Sequence, residues 1–473
     1  QLSEAFRLLE DAPTLGSIIK FDLSSSTRRQ LVEAMQHWQS QSDIPYGIAV
    51  GMSAMEFILA LTDSYDAIVM NPPYMPTSKE PVLKNYAAAN YPDSKADLFA
   101  VFMDVCTDRL KDGGKYGMIN MQSWMFLSSF EALRKKLISE QHIDSLLHLG
   151  PRTFDELSGE VVQNAAFVIT KSTPQRPGVY HRLIDGKNCA EKESLYLSRE
   201  KAYPGIEQTK FEKIPGYPIA YWVSDKAISL LNSTKSVSDL AAPRQGFATS
   251  DNERFLKFIW EIDKHKRGQI KWAPCAKGGS FRRWYGNIQY CANWENDGCA
   301  MKEYAAYLYK NYTRTIKNIA YYFKQDGCTW STIASGKPAF RLFTKDCLFE
   351  TKGSVCFPID ETKNYSLLGY LNSPIVTYFL AIFSPTLDFH EGPVGKLPLA
   401  TISDEKIDTL VKDSVSISKQ DWDAHETSWD FQENELVRLH KDSGGTFADA
   451  LVRYKEHWTE QFMQLHANEE ELN

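Results

Sequence analysis

The sequence predicts an α/β protein: a helix-covered sheet over residues 1–172, a mixed α/β domain after it, and a helical region from about residue 401. Three observations lead there. Short apolar runs alternate with segments of helical apolar spacing between residues 65 and 170. Clusters of Gly and Pro punctuate them. Beyond about residue 403 the spacing is helical and the polar positions are largely acidic. Strand-helix-strand order packs as a sheet with helices on its faces.

The elements follow in chain order. Tyr65-Asp-Ala-Ile-Val-Met70 stops at Asn71-Pro-Pro, so it reads as a buried strand. Ala96–Leu110 sets Leu98, Phe102, Val105, Cys106 and Leu110 at helical spacing, and Lys111-Asp-Gly-Gly114 reads as the helix stop. Tyr116–Met121 is the next strand. Ser128-Ser-Phe-Glu131 has the capping-box spacing and predicts a helix to about Glu140. Ile143–Leu149 and Val161–Thr170 are further strands. The Pro-rich stretch Ser172–Gly178 marks a boundary. Residues 173–214 read as an irregular linker, 215–400 as a second domain rich in Trp, Tyr, Gly and basic residues, and 401–473 as an acidic helical tail.

With 43% apolar and 24% charged residues, the 473-residue chain has the composition of a folded globular protein rather than a disordered one. Its longest strongly apolar run, Ile375–Phe383, has nine residues. About 18 are needed to span a bilayer, so no membrane segment is predicted. No secretory leader opens the sequence, and a first residue of Gln1 reads as a piece of a longer chain. No two of the eight cysteines form a Cys-x-x-Cys pair. That argues against a zinc ribbon or thioredoxin motif, predicts no metal site, and fits a cytosolic protein with scattered reduced thiols. The net charge of −7 hides an asymmetry. Residues 251–345 hold 17 Lys/Arg against 8 Asp/Glu, a net of +9, and residues 401–473 hold 7 against 17, a net of −10.

The sharpest local signal is Asn71-Pro72-Pro73-Tyr74 directly after the first strand. Open α/β sheets place ligands beyond the carboxyl ends of their strands. Two prolines fix φ twice and remove two donors, so the Pro72 carbonyl need not continue a ladder. Asn71 adds a side-chain carbonyl and Tyr74 a flat aromatic face. An exocyclic amine on a nucleobase is a poor nucleophile, because its lone pair is delocalised into the ring. Two acceptors on its two N–H bonds favour a pyramidal nitrogen and release that pair. A base inside a duplex must first be flipped out, at a cost of a few kcal/mol. Stacking on an aromatic ring returns about 1–3 kcal/mol of it.

Asn71-Pro-Pro-Tyr74, with the Asp97-Leu-Phe helix and the Leu-Lys-Asp-Gly-Gly turn, resembles the catalytic region of DNA adenine-N6 methyltransferases. Gly246–Asn252, Lys277–Asn287, Thr329–Phe340, Leu367–Ser373, Pro385–Phe389 and Glu426–Phe431 extend the likeness to the PglX type of BREX phage-defence systems. Type IIG restriction-modification enzymes have a similar layout. The resemblance implies a Rossmann-like sheet, here partial, with catalytic residues up to 172 and target recognition over 215–400. It implies S-adenosylmethionine as methyl donor, double-stranded DNA as substrate, other BREX proteins as partners, and a bacterial or archaeal cytoplasm. Asn71 and Pro72 would hold the target amine, Tyr74 would stack on the flipped adenine, and Pro73 and Phe154 would lie against the base. Asp97 and Phe99 would touch the donor, although a helix cap and a core position also explain them. The glycine-rich Asp-Pro-x-x-Gly-Ser-Gly donor loop of the family has no counterpart in residues 1–70.

The basic segment supplies the candidates for DNA: Arg254, Lys277, Arg282, Arg283, Arg314 and Lys317, with Lys257, Lys264, Lys266, Arg267 and Lys271. Phosphate contacts position a duplex and base-edge contacts specify it. Arg282 and Arg283 are the first candidates for bidentate contact with guanine. Lys277-Gly-Gly-Ser280 is slim enough for backbone N–H groups to approach phosphate. A solvated charged face is the alternative for each residue. A non-catalytic DNA-binding specificity module is the alternative for the whole chain.

Overall fold

The computed structural model describes residues 1–154, 162–263, 271–334, 336–384, 388–399, 405–443 and 445–473. Val161, Lys264, Lys266, Arg267, the stretch from Gly159 to Val161 and the start of the Pro385–Phe389 motif lie outside them. The chain forms two compact units, Gln1–Ile228 and Ser229–Asn473. No single helix among the described residues is long and apolar enough to cross a membrane. The apolar pair Glu361–Leu371 and Pro374–Phe383 is bent by 77°, and residues such as Leu368, Val376 and Leu380 are buried in the protein core.

The first unit is built on six strands: β1 (Tyr65–Met70), β2 (Leu110–Met121), β3 (His142–Gly150), β4 (Asn164–Thr170), β5 (Gly178–Arg182) and β6 (Ala202–Ile206). Their order in the sheet is β1-β2-β4-β3-β5-β6. β1 and β2 are parallel, as are β3 and β5, while β4 runs antiparallel to both of its neighbours. The α/β class is thus as predicted. Two local expectations are corrected. Among the described residues β1 pairs with β2 alone, and Val69 is 85% exposed, so in this chain its apolar run does not form a buried strand. The helix does stop at Arg109, but Lys111-Asp-Gly-Gly114 is not a separate turn; it is an irregular insertion within β2. Tyr65 pairs with Leu110 and Ala67 with Lys115, and Gly113 takes a positive φ of 78°.

The predicted linker is part of the same body. β5 and β6 extend the sheet beyond β3, and Phe211, Ile219 and Tyr221 are buried in the core of the first unit. That core ties in the segment through polar groups as well. Gln208 caps the helix Glu131–Glu140, donating to the carbonyls of Leu137, Ile138 and Gln141 and accepting from the Ile143 amide. The Ser128 capping box does not form: Ser128–Phe130 is a 3₁₀ turn and no side chain caps the helix after it. The helix Leu98–Arg109 is capped instead by Asp97, and its residues from Leu98 to Cys106 are all buried. Its one buried charge, Asp104, is matched by Lys136 at 2.8 Å and accepts from the Ser94 hydroxyl at 2.6 Å.

The second unit carries β7 (Lys235–Ser236), β8 (Ala241–Arg244), β9 (Leu256–Phe258), β10 (Trp272–Ala276), β11 (Tyr290–Asn293), β12 (Gly327–Trp330), β13 (Phe340–Phe343), β14 (Leu348–Phe349), β15 (Val355–Pro358) and β16 (Pro398–Leu399). Two four-stranded sheets, β14-β10-β11-β9 and β13-β12-β15-β8, share an aromatic core that includes Phe247, Trp294, Tyr322, Phe343, Phe349 and Phe357. Trp284, Trp294 and Trp330 are buried. The C-terminal helices Glu405–Asp423 and Phe447–Leu472 pack into this unit, with Val411, Trp422 and Ala450 buried. The acidic segment is therefore a structural layer rather than a tail.

Candidate functional site

Four strand ends define one edge of the first sheet. Met70 of β1 lies beside Met118 of β2, while Met121 and Gly150 both pair with Asn164, the first residue of β4. Asn71-Pro-Pro-Tyr74 leaves β1 at this edge. Asn71 is exposed and Pro72 is buried. Among the described residues no hydrogen-bond donor reaches the Pro72 carbonyl, and its oxygen keeps its capacity to accept.

Tyr74 is fixed from several sides. Its ring meets Phe99 edge to face at 6.3 Å and an interplanar angle of 89°. Its hydroxyl accepts from Asn164 Nδ2 at 2.9 Å and lies 3.4 Å from Asn71 Oδ1. Burial raises the Tyr74 phenol above its ordinary pKa, so the group stays a neutral O–H. Asp97 fixes the chain just after the tetrapeptide: Oδ1 accepts from the Met75 amide at 3.0 Å and from the Phe99 amide at 3.3 Å. The Met75 carbonyl in turn accepts from the Leu98 amide. Burial pushes the Asp97 carboxyl up.

Behind this edge sits a buried polar network that the sequence did not announce. Asn120 Oδ1 accepts from the Trp124 indole at 3.0 Å. Gln122 Nε2 donates to Gln163 Oε1 at 2.5 Å, and Gln122 Oε1 lies 2.8 Å from His148 Nε2. His148 Nδ1 lies 3.1 Å from the Tyr221 hydroxyl. Burial, with Arg182 and Lys192 adding to it, lowers the His148 pKa to about 3, so the imidazole is neutral.

The two donor candidates fare differently. Phe99 is 1% exposed, its ring held by Tyr74 and Phe130, and it offers nothing to a ligand. Asp97 has one oxygen committed to backbone amides. The described residues before β1 are helical or irregular and contain no strand followed by a glycine-rich turn. Phe154 is 36% exposed, which places it at the surface rather than in the core.

The cation candidates all lie in the second unit. Arg254, Arg314 and Lys317 are exposed and Lys277 is half-buried. Among the described residues none of the four has a carboxylate within ion-pair distance; they rest on Tyr304, Tyr309, Gln245 and Tyr290 respectively for Arg254, Arg314, Lys317 and Lys277. Arg282 and Arg283 differ from the expectation of open guanidinium groups. Arg282 Nη1 pairs with Asp421 at 2.7 Å, and Arg283 Nη1 pairs with Glu469 at 3.0 Å. The other oxygen of Glu469 accepts from the Trp284 indole at 2.7 Å. Gly278 owes its place to packing: at φ 79°, a Cβ there would come within 2.5 Å of the Lys352 carbonyl oxygen.

Comparison with known proteins gives a consistent picture. Residues 15–154 match the family model of the Eco57I restriction-modification methylase. The chain is 38% identical over 438 residues to the adenine-specific methyltransferase PglX of Lacticaseibacillus casei (strain Zhang), covering 88% of this chain and 36% of that protein. It is 34% identical over 482 residues to the adenine-specific methyltransferase BrxX of Escherichia coli O9:H4 (strain HS), covering 99% of this chain and 39% of that protein. The chain thus spans less than half the length of these curated relatives. Its structure is similar to that of the type IIL restriction-modification enzyme MmeI in complex with DNA, with a TM-score of 0.54 at 11% identity over 86% of this chain and 59% of that one. At that identity the likeness is one of fold. The resemblance to PglX-type adenine-specific methyltransferases drawn from the sequence is borne out by the two close relatives.

Proposed function

We propose that this chain, homologous to one stretch of the PglX-type adenine-specific methyltransferases, carries the target-base site and the DNA-recognition unit of a site-specific DNA methyltransferase acting in BREX phage defence. The reaction is methylation of adenine N6 on a flipped base, with S-adenosylmethionine as the donor. The observation that carries the reading is Asn71-Pro-Pro-Tyr74 at the carboxyl end of β1, with Tyr74 pinned by Asn164 and Phe99. In this reading Asn71 Oδ1 and the Pro72 carbonyl accept the two N–H bonds of the adenine amine. Tyr74 stacks on the base, and Pro73 and the exposed Phe154 lie against it. No step is assigned to donor-binding residues, because Phe99 is enclosed and Asp97 serves the backbone.

For the second unit, residues from about 229 to 400 are assigned to target recognition. Arg254, Lys277, Arg314 and Lys317 are the first phosphate contacts, since no carboxylate among the described residues neutralises them. Arg282 and Arg283 would contact guanine only by exchanging Asp421 and Glu469 for the DNA. The protein works in the cytoplasm of its cell, with other BREX proteins as partners. The names of the two relatives favour this over a type IIG enzyme.

The test is long-read methylation mapping of DNA from cells carrying the full-length gene in its operon, beside the same operon with Asn71→Ala. The expected result is N6-methyladenine at one recurrent sequence, lost in the variant. Identical maps would overturn the assignment and leave a specificity module that binds DNA without catalysis.

A further inference from the structure

We propose that Asn164 is a positioning residue: it sets the direction of the Tyr74 hydroxyl and through it the orientation of the Asn71 carboxamide that receives the target amine. The inference rests on the base-binding role given to Asn71 and Tyr74 above.

Asn164 is 0% exposed and opens β4 at the sheet edge where β1 ends. Its Nδ2 has two acceptors, the Tyr74 hydroxyl at 2.9 Å and the Asn120 carbonyl at 3.3 Å. The amide orientation follows from the second of these. Were the amide turned over, Oδ1 would face the Asn120 carbonyl, and two acceptors would be in contact. An N–H only donates, so the Tyr74 oxygen accepts and its own proton must go elsewhere. Asn71 Oδ1, at 3.4 Å, is the acceptor within reach. The chain therefore runs one way, from Asn164 N–H through Tyr74 O–H to Asn71 C=O. It turns the oxygen of Asn71, rather than its amino group, toward the pinned ring. A carbonyl oxygen has two lone pairs, and one remains for an N–H of the target amine.

A second observation separates this role from packing. Asn164 Oδ1 is buried and has no hydrogen-bond partner among the described residues. Native proteins rarely leave a buried acceptor unpaired. An apolar residue would fill the position without that penalty but would not direct Tyr74.

Asn164→Asp tests the direction, because a carboxylate only accepts and would turn the Tyr74 proton away from Asn71. In the full-length protein, single-turnover methylation by Asn164→Asp is expected to fall about 100-fold, the scale of a small misplacement at a reacting centre. DNA affinity, by fluorescence anisotropy, is expected to stay unchanged. The same substitution made on Tyr74→Phe, which has no hydroxyl to misdirect, is expected to leave the Tyr74→Phe rate unchanged. A structural role predicts equal losses in both backgrounds, and that result, or a wild-type rate for Asn164→Asp, overturns the proposal. Asn164→Ala enters the same cycle if the Asp variant does not fold. The ¹³Cζ resonance of Tyr74 in the DNA-free protein judges the hydrogen-bond chain without activity. It should shift in both Asn164→Asp and Asn71→Ala, and a resonance that moves in neither overturns the proposal. If the chain is present but wild-type protein leaves DNA unmethylated in its operon, the functional reading fails and the positioning geometry stands.

Discussion

His148 makes the sheet edge behind the candidate site acid-sensitive by an amount that the structure sets. Its ring is 2% exposed, packed between Phe126 and Trp222 and bonded to Gln122 and Tyr221. The folded pKa is depressed to about 3, against an unfolded value of about 6.5. The unfolded chain therefore takes up the proton first. Stability from this group is complete above pH 6.5 and is lost as pH falls from there toward 3. At about 1.36 kcal/mol per pH unit, the loss between pH 7.5 and pH 5 is about 2 kcal/mol, approaching about 5 kcal/mol near pH 3. His148→Gln removes the titration while keeping a polar side chain, and other acid-sensitive groups act alike in both proteins. Hydrogen exchange at the β3 amides of Leu146 and Leu147, corrected for intrinsic rates, reads the opening free energy. Wild type is expected to lose about 2 kcal/mol more protection than the variant over that range. Parallel profiles, or a His148 imidazole that titrates by NMR near 6.5, would refute the reasoning.

Two further substitutions test packing, one in each unit. Arg134 is 1% exposed and donates to the carbonyls of Trp124, Leu127, Gly216 and Tyr217. Arg134→Met is expected to cost about 3–5 kcal/mol by leaving the Trp124, Gly216 and Tyr217 oxygens without this donor, measured as a drop in thermal midpoint of the protein. Gly246 has no space for a side chain, since a Cβ would sit 1.8 Å from the Phe349 carbonyl oxygen. Gly246→Ala is expected to destabilise by about 3 kcal/mol or more in denaturant melts. The control Gly336→Ala, with nothing within 4 Å, is expected to be neutral.

The elements legible in the sequence are those bounded by clear apolar runs and Gly, Pro or polar breaks. β1, the Leu98–Arg109 helix and β3 fall within two residues of the spans read from their apolar spacing. β5 and β6 were not legible. Ala202-Tyr-Pro-Gly-Ile206 contains both residues that argue against a strand, and its pairing with β5 overrides that local preference. Asn71–Tyr74 could be read because its chemistry lies within four consecutive residues. Asn164 could not, because the group it serves lies 90 positions away. The pairing of Arg283 with Glu469 crosses 186 positions, beyond any local pattern. Local motifs carry their own evidence in one sequence, whereas partners brought together by topology do not.

The charge asymmetry shows what that difference means for DNA binding. The net of +9 over residues 251–345 overstates the positive field, because some of its cations are spent inside the fold. Arg341 is 1% exposed and donates to the Arg282 carbonyl. Arg282 and Arg283 are matched by carboxylates of the C-terminal helices, and Arg282 also lies over the Trp422 ring. Two carboxylates of the acidic segment, Asp421 and Glu469, thus have fixed partners in the same unit. A phosphate at Arg282 or Arg283 would have to displace a carboxylate already seated there. One at Arg254, Lys277, Arg314 or Lys317 meets no seated carboxylate among the described residues, only ring faces and, at Lys317, the Gln245 carboxamide. Counterion release gives a salt slope of about 0.9 per phosphate neutralised. The slope should therefore follow the number of such unpaired cations engaged rather than the net charge of the segment.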